Sequence, residues 1–96
     1  MTTQGDVKST HRNTSGTVFA QRTRVKGFSI CATASAAGTL LLKDGGSGGT
    51  TLIEIDIPSN SNPNSFYVAI PQQGVLFTTD VYASLTNIAS VTVFYG

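Results

Sequence analysis

Residues 43–57, KDGGSGGTTLIEIDI, hold four glycines within the five positions 45–49 and then run into a strict alternation. Ile53, Ile55 and Ile57 fall on one side of an extended chain, with Leu52, Glu54 and Asp56 on the other, the period of two that a strand imposes. That strand settles what the glycine run is. A phosphate cradle needs a lysine and then Ser or Thr after its last glycine, and it opens a helix whose N-terminus holds the anion. A dinucleotide fingerprint must open a helix as well. Here a strand follows and no lysine is in place, so DGGSGG is a hairpin connection whose glycines supply the positive φ angles that reverse the chain.

The same period recurs outward from this hairpin. SFYVAI (65–70) alternates Phe66, Val68 and Ile70 against Tyr67 and Ala69. SVTVFYG (90–96) sets Val91, Val93 and Tyr95 against Thr92 and Phe94, and DVYASLT (80–86) turns Val81, Ala83 and Leu85 inward. In RVKGFSICAT (24–33), Phe28, Ile30 and Ala32 share a face while Val25 is out of step. A slip by one at Gly27 predicts a β-bulge, which glycine tolerates. TLLLKD (39–44) and GVLFTTD (74–80) are short apolar runs, and GTVFAQ (16–21) is a weaker strand. Turn residues punctuate them at 13–16, 36–38, 44–49, 58–64, 71–74 and 86–87. No window has helical periodicity. The chain is therefore expected to be all-β: one β-sandwich over residues 1–96, jelly-roll-like or Ig-like, of about seven to nine short antiparallel strands, with 1–16 as an N-terminal arm.

A chain of 96 residues builds one small core with modest stability in hand, so help from a partner or a symmetric homo-oligomer is expected. Only 11% of residues are charged, against roughly 25% in an average soluble protein, and Thr, Ser, Asn and Gln replace them. The net charge of +1 conceals an asymmetry. Lys8, Arg12, Arg22, Arg24 and Lys26 stand against Asp6 in the first 27 residues, a balance of +4. Lys43 stands against Asp44, Glu54, Asp56 and Asp80 in the rest, a balance of −3. One reading is ordinary solvated charge. The sharper one is a polarised subunit whose basic side docks on an acidic partner. The candidate docking residues are Lys8, Arg12, Arg22, Arg24 and Lys26, with Arg22, Arg24 and Lys26 alternating along one strand. Three cations on one face are too few for a nucleic-acid track, so nucleic acid is not an expected partner.

No residue set declares a reaction, and no enzyme, cofactor or metal is expected. Cys31, the single cysteine, has no partner for an intramolecular disulfide and reads as a small buried hydrophobe in GFSICATA. His11, the single histidine, reads as a surface residue. Glu54 and Asp56 lie two apart on a strand and read as its polar outer face rather than an acid–base pair. No His, Cys, Asp and Glu cluster has metal-ligand spacing. The absence of tryptophan, with only three tyrosines, counts against the flat aromatic platform of a carbohydrate-binding module. The opening MTTQGDVKST lacks the apolar run of a signal peptide, and no segment approaches the roughly 20 apolar residues of a membrane helix.

RVKGFSI (24–30), LLKDGGSGGTTLIEIDIP (41–58) and YVAIPQQGVLFTTDVYASLTNIASVTVFYG (67–96), taken in this order, resemble small structural proteins of the virions of tailed bacteriophages, of the kind that infect marine hosts and cyanobacteria. The resemblance covers residues 22–96 and rests on strand and turn motifs. It implies a structural role: a capsid decoration (cement) protein that binds the assembled shell and stabilises it without covalent bonds, with the major capsid protein or other virion proteins as partners. A tail, fibre or head–tail connector subunit is the alternative within that class, and a glycan-binding sandwich the alternative outside it. The implied location is the virion, after synthesis in the host cytoplasm. The resemblance assigns no site residue.

Overall fold

Each alternating or apolar run forms a strand, and one further strand joins them. The structure, a computed structural model, describes residues 7–32, 37–58, 65–70 and 74–96. The strands are β1 (Lys8–Arg12), β2 (Gly16–Phe19), β3 (Thr23–Ala32), β4 (Gly38–Asp44), β5 (Thr50–Ile57), β6 (Ser65–Ala69), β7 (Val75–Phe77), β8 (Val81–Thr86) and β9 (Ile88–Tyr95). Residues 1–6 of the expected arm, 59–64 of the expected 58–64 loop, 71–73 of the expected 71–74 turn, residues 33–36 and the side chain of Phe66 lie outside what is described. Among the described residues no helix is long and apolar enough to cross a membrane.

Two antiparallel sheets result. The first has the order β1-β9-β3-β6, with β7 pairing the start of β3; the second has the order β2-β8-β4-β5. Four of the pairings are nested along the chain: β4 with β5, β3 with β6, β2 with β8 and β1 with β9. The chain is in effect one long hairpin, folded at DGGSGG and rolled so that β9 also joins β3 and β8 also joins β4. That connectivity is the jelly roll, the first of the two sandwich forms the sequence left open.

The inner faces of both sheets make the core. Phe28, Ile30, Leu40, Leu42, Phe77, Val81, Val91 and Val93 are fully buried. Each such side chain contributes about 1.5–3 kcal/mol relative to exposure. On β5, Ile57 is buried and Ile53 and Ile55 are half-buried, while Leu52, Glu54 and Asp56 are exposed, as the alternation requires. The bulge falls where the slip predicts it, between Val25 and Gly27 opposite β9. The extra residue allows Val25 and Phe28, three apart, both to face the core. At the hairpin Gly45 and Gly46 have φ of 108° and 80°, and the Gly49 amide donates to the Gly46 carbonyl at 3.0 Å.

Two expectations change. Cys31 is half-exposed rather than buried, because it lies between buried Ile30 and Ala32 on β3 and the period of two turns it outward. Within the span read as an arm, Lys8–Arg12 is the edge strand of the first sheet, in register from Lys8 opposite Tyr95 to Arg12 opposite Val91. Side-chain bonds hold it there. Thr10 Oγ1 lies 2.7 Å from the Tyr95 hydroxyl, and His11, exposed as expected, has Nδ1 2.9 Å from Thr92 Oγ1.

Candidate docking site

β2 belongs to one sheet and β3 to the other, so residues 20–22 cross one end of the sandwich. The start of β1 and the ends of β7 and β9 arrive at the same end, because Lys8 pairs with Tyr95 and Thr23 with Phe77. There an open depression of 380 Å³ is lined by Phe19 and Leu76 and by the three cationic side chains Lys8, Arg22 and Arg24. Its wall is a short stack. Tyr95, buried, packs on Phe19 at 4.7 Å between centroids, and Lys8 Nζ lies 5.9 Å from the Phe19 ring, within reach of a cation–π attraction.

The other two candidate residues do not join this group. Arg12 folds over Gly16 into the β1–β2 loop, where Nε donates to the Thr14 carbonyl at 3.2 Å and Nη1 to the Thr17 carbonyl at 3.4 Å. The missing Cβ at Gly16 makes the room, since a side chain there would overlap the guanidinium. Lys26 is the half-buried extra residue of the bulge, its carbonyl accepting from the Ile70 amide at 3.0 Å, and it does not line the depression.

The charge split along the chain is not a clean split in space. The 78–80 loop connects Phe77, opposite Thr23, with Val81, opposite Phe19, and so brings Asp80 to the basic end, where Asp44 also arrives. Both carboxylates accept from backbone donors. Asp44 accepts from the amides of Thr78 (3.0 Å), Thr79 (2.8 Å) and Asp80 (3.3 Å) and from the Thr78 hydroxyl (2.9 Å). Asp80 accepts from the amides of Gly45 at 2.8 Å and Gly46 at 3.0 Å. The Thr78 and Thr79 amides are the main reason the Asp44 pKa falls from 3.8 to about 2. Glu54 and Asp56 instead lie exposed on β5, at the edge of the second sheet remote from β2.

A second cavity, of 230 Å³, opens between the sheets beside β5 and β6, lined mainly by Ile30, Ile55, Ile57, Val68 and Pro58. Among the described residues no group of three or more His, Cys, Asp or Glu side chains could hold a metal ion. Sequence reading found the cations of the basic end but not its apolar lining. Phe19 and Leu76 are far apart in the chain, and only the pairing of β7 with β3 makes them neighbours. No protein-family model, no curated protein and no solved structure matches this chain.

Proposed function

We propose that this chain is a structural protein of a phage particle, a decoration or cement protein that binds the assembled capsid shell through the basic end of its sandwich. The observation that carries the reading is the gathering of Lys8, Arg22 and Arg24 around one open depression whose lining includes the apolar side chains of Phe19 and Leu76. Such a surface suits an acidic protein patch: opposite charge sets orientation and encounter rate, and the apolar lining adds burial on contact. The sequence resemblance supports the same class. The jelly-roll connectivity is compatible with it, since that fold recurs in viral capsid domains and in lectins, but this is fold-level analogy. The mechanism is mass action without a chemical step. A ligand of the assembled state alone stabilises that state by about 2.7 kcal/mol when its free concentration is about 100 times Kd. A homo-oligomer would multiply the contacts.

The test is co-sedimentation of the purified protein with shells that lack it, over a salt series. The wild type binds at low salt and is released as salt rises, and Arg22→Glu with Arg24→Glu binds weakly throughout. Unchanged binding by that double variant overturns the assignment of the basic end. Copy number decides the part of the particle. Stoichiometry in proportion to the major capsid protein supports decoration, a handful of copies supports a tail, fibre or connector subunit, and absence from the particle removes the virion reading.

A further inference from the structure

The outer face of the first sheet has a composition unlike the rest of the surface. Cross-strand register lays its outward side chains in rows: Ala69, Gly27, Phe94 and Ser9; then Tyr67, Ser29, Thr92 and His11; then Ser65, Cys31 and Ser90. These rows contain no Lys, Arg, Asp or Glu, although Arg24 and Lys26, on either side of buried Val25, border them at one end of β3; the outer face of the second sheet carries Lys43, Glu54 and Asp56. On β6, the edge strand of this face, Tyr67 is 62% exposed, the most exposed large apolar side chain among the described residues. Its ring leans across β3 over Gly27: the hydroxyl and Cζ lie 2.9 and 3.4 Å from where a Cβ at that glycine would stand. Phe94 meets it edge-on, with centroids 6.0 Å apart and planes at 67°. The ring is thus supported from below and from one side, while its outward face is open.

We propose that this face binds a neutral saccharide, with one sugar ring stacked on Tyr67 and its hydroxyls bonded by Ser29, Thr92 and His11. A sugar ring offers an apolar C–H face and a polar rim, and the site offers an aromatic face with a polar rim beside it. The Thr92 hydroxyl and His11 Nδ1, 2.9 Å apart, form a paired donor and acceptor at that rim. The two bordering cations, Arg24 and Lys26, are too few for a strand of nucleic acid, which needs cations along its backbone as well as stacking. The platform does not require tryptophan. A single tyrosine can lean over β3 here because Gly27, diagonal to it across the strand pair, has no side chain in the way. One stacked ring on an open face gives weak binding, with Kd on the order of 1 mM.

The experiment is an amide chemical-shift titration of the full chain with three probes, the trisaccharides of N-acetylglucosamine, glucose and galactose, and with oligothymidylate for comparison. The expected result is a saturable shift with at least one sugar, centred on Ser29, Tyr67, Thr92 and Phe94, retained in Tyr67→Phe and weakened about tenfold or more in Tyr67→Ala. Thr92→Val, which leaves the platform in place, weakens it several-fold and covers the case in which Tyr67→Ala fails to fold. The proposal is overturned by no saturable shift with any sugar or by sugar shifts centred elsewhere. It is equally overturned if oligothymidylate shifts the same amides in a salt-sensitive way, or if these amides shift with protein concentration alone, which would mean that a second copy covers the face. The proposal is independent of shell docking: Tyr67→Ala leaves co-sedimentation unchanged, and Arg22→Glu with Arg24→Glu leaves the sugar titration unchanged.

Discussion

Asp44 and Asp80 cap each other's loops. The Asp44 carboxylate takes the amides of Thr78, Thr79 and Asp80, and the Asp80 carboxylate takes those of Gly45 and Gly46, just after Asp44. The β4–β5 hairpin is thereby tied to the connection between β7 and β8, next to the depression lined by Lys8, Arg22 and Arg24. Two chain reversals far apart in sequence are held as one unit by side chains accepting from backbone amides that the sheets leave free.

This clasp predicts an acid transition with a defined sign. The folded pKa of Asp44 is about 2, below its ordinary value of 3.8, so its contribution to stability is present above the ordinary value and is lost as pH falls from 3.8 to about 2. The denaturation midpoint, measured by circular dichroism at steps across that range, falls with pH in the wild type. In Asp44→Asn it starts lower at neutral pH and falls less. Parallel pH curves for the two proteins would refute the assignment.

Gly27→Ala lowers stability by about 1–3 kcal/mol, the usual cost of forcing atoms into a packed site. A Cβ there would stand 2.9 Å from both the Val68 carbonyl oxygen and the Tyr67 hydroxyl, and the first of these is backbone that cannot swing away. Urea unfolding gives the difference. The amide shifts of Tyr67 and Phe94 move in the same variant, because the tyrosine loses its seat.

Two residues of β3, Phe28 and Cys31, separate inside from outside. Phe28→Ala, at a fully buried position, costs about 3–5 kcal/mol, while Cys31→Ser changes stability by no more than about 0.5 kcal/mol. A thiol reagent labels Cys31 in the folded protein without denaturant. A labelling rate limited by global unfolding would place the thiol in the core instead.

Arg12 and Arg22 are expected to behave differently despite their shared charge. Arg12→Ala lowers stability by at most about 1 kcal/mol through the loss of its loop bonds and leaves the salt dependence of shell binding unchanged. Arg22→Ala leaves the unfolding midpoint unchanged and reduces that salt dependence. Thermal melts and co-sedimentation at two salt concentrations measure both.

The legible part of this fold was the part written in local alternation. Ile53, Ile55 and Ile57, or Val91, Val93 and Tyr95, declare a strand and its inner face with no knowledge of the partner, because a pleated chain must send successive side chains to opposite sides. The slip at Gly27 was readable for the same reason. Lys8–Arg12 was not, since KSTHR carries no apolar period. It becomes a strand because β9 offers it an open edge and Tyr95 and Thr92 offer its side chains partners.

The candidate sites divide in the same way. The residue types were in the sequence: five cations near the start, a glycine two residues before a serine, one tyrosine in an alternating strand. Their company was not. Lys8, Arg22 and Arg24 converge while Arg12 and Lys26 diverge, and Tyr67 lies over Gly27, because of which strands pair and in what register. Alternation along a chain is a local consequence of backbone geometry, and the sequence determined it alone. Which edges meet depends on burying two half-apolar sheets against each other at once, and that was decided only when the nested hairpin rolled into its jelly roll.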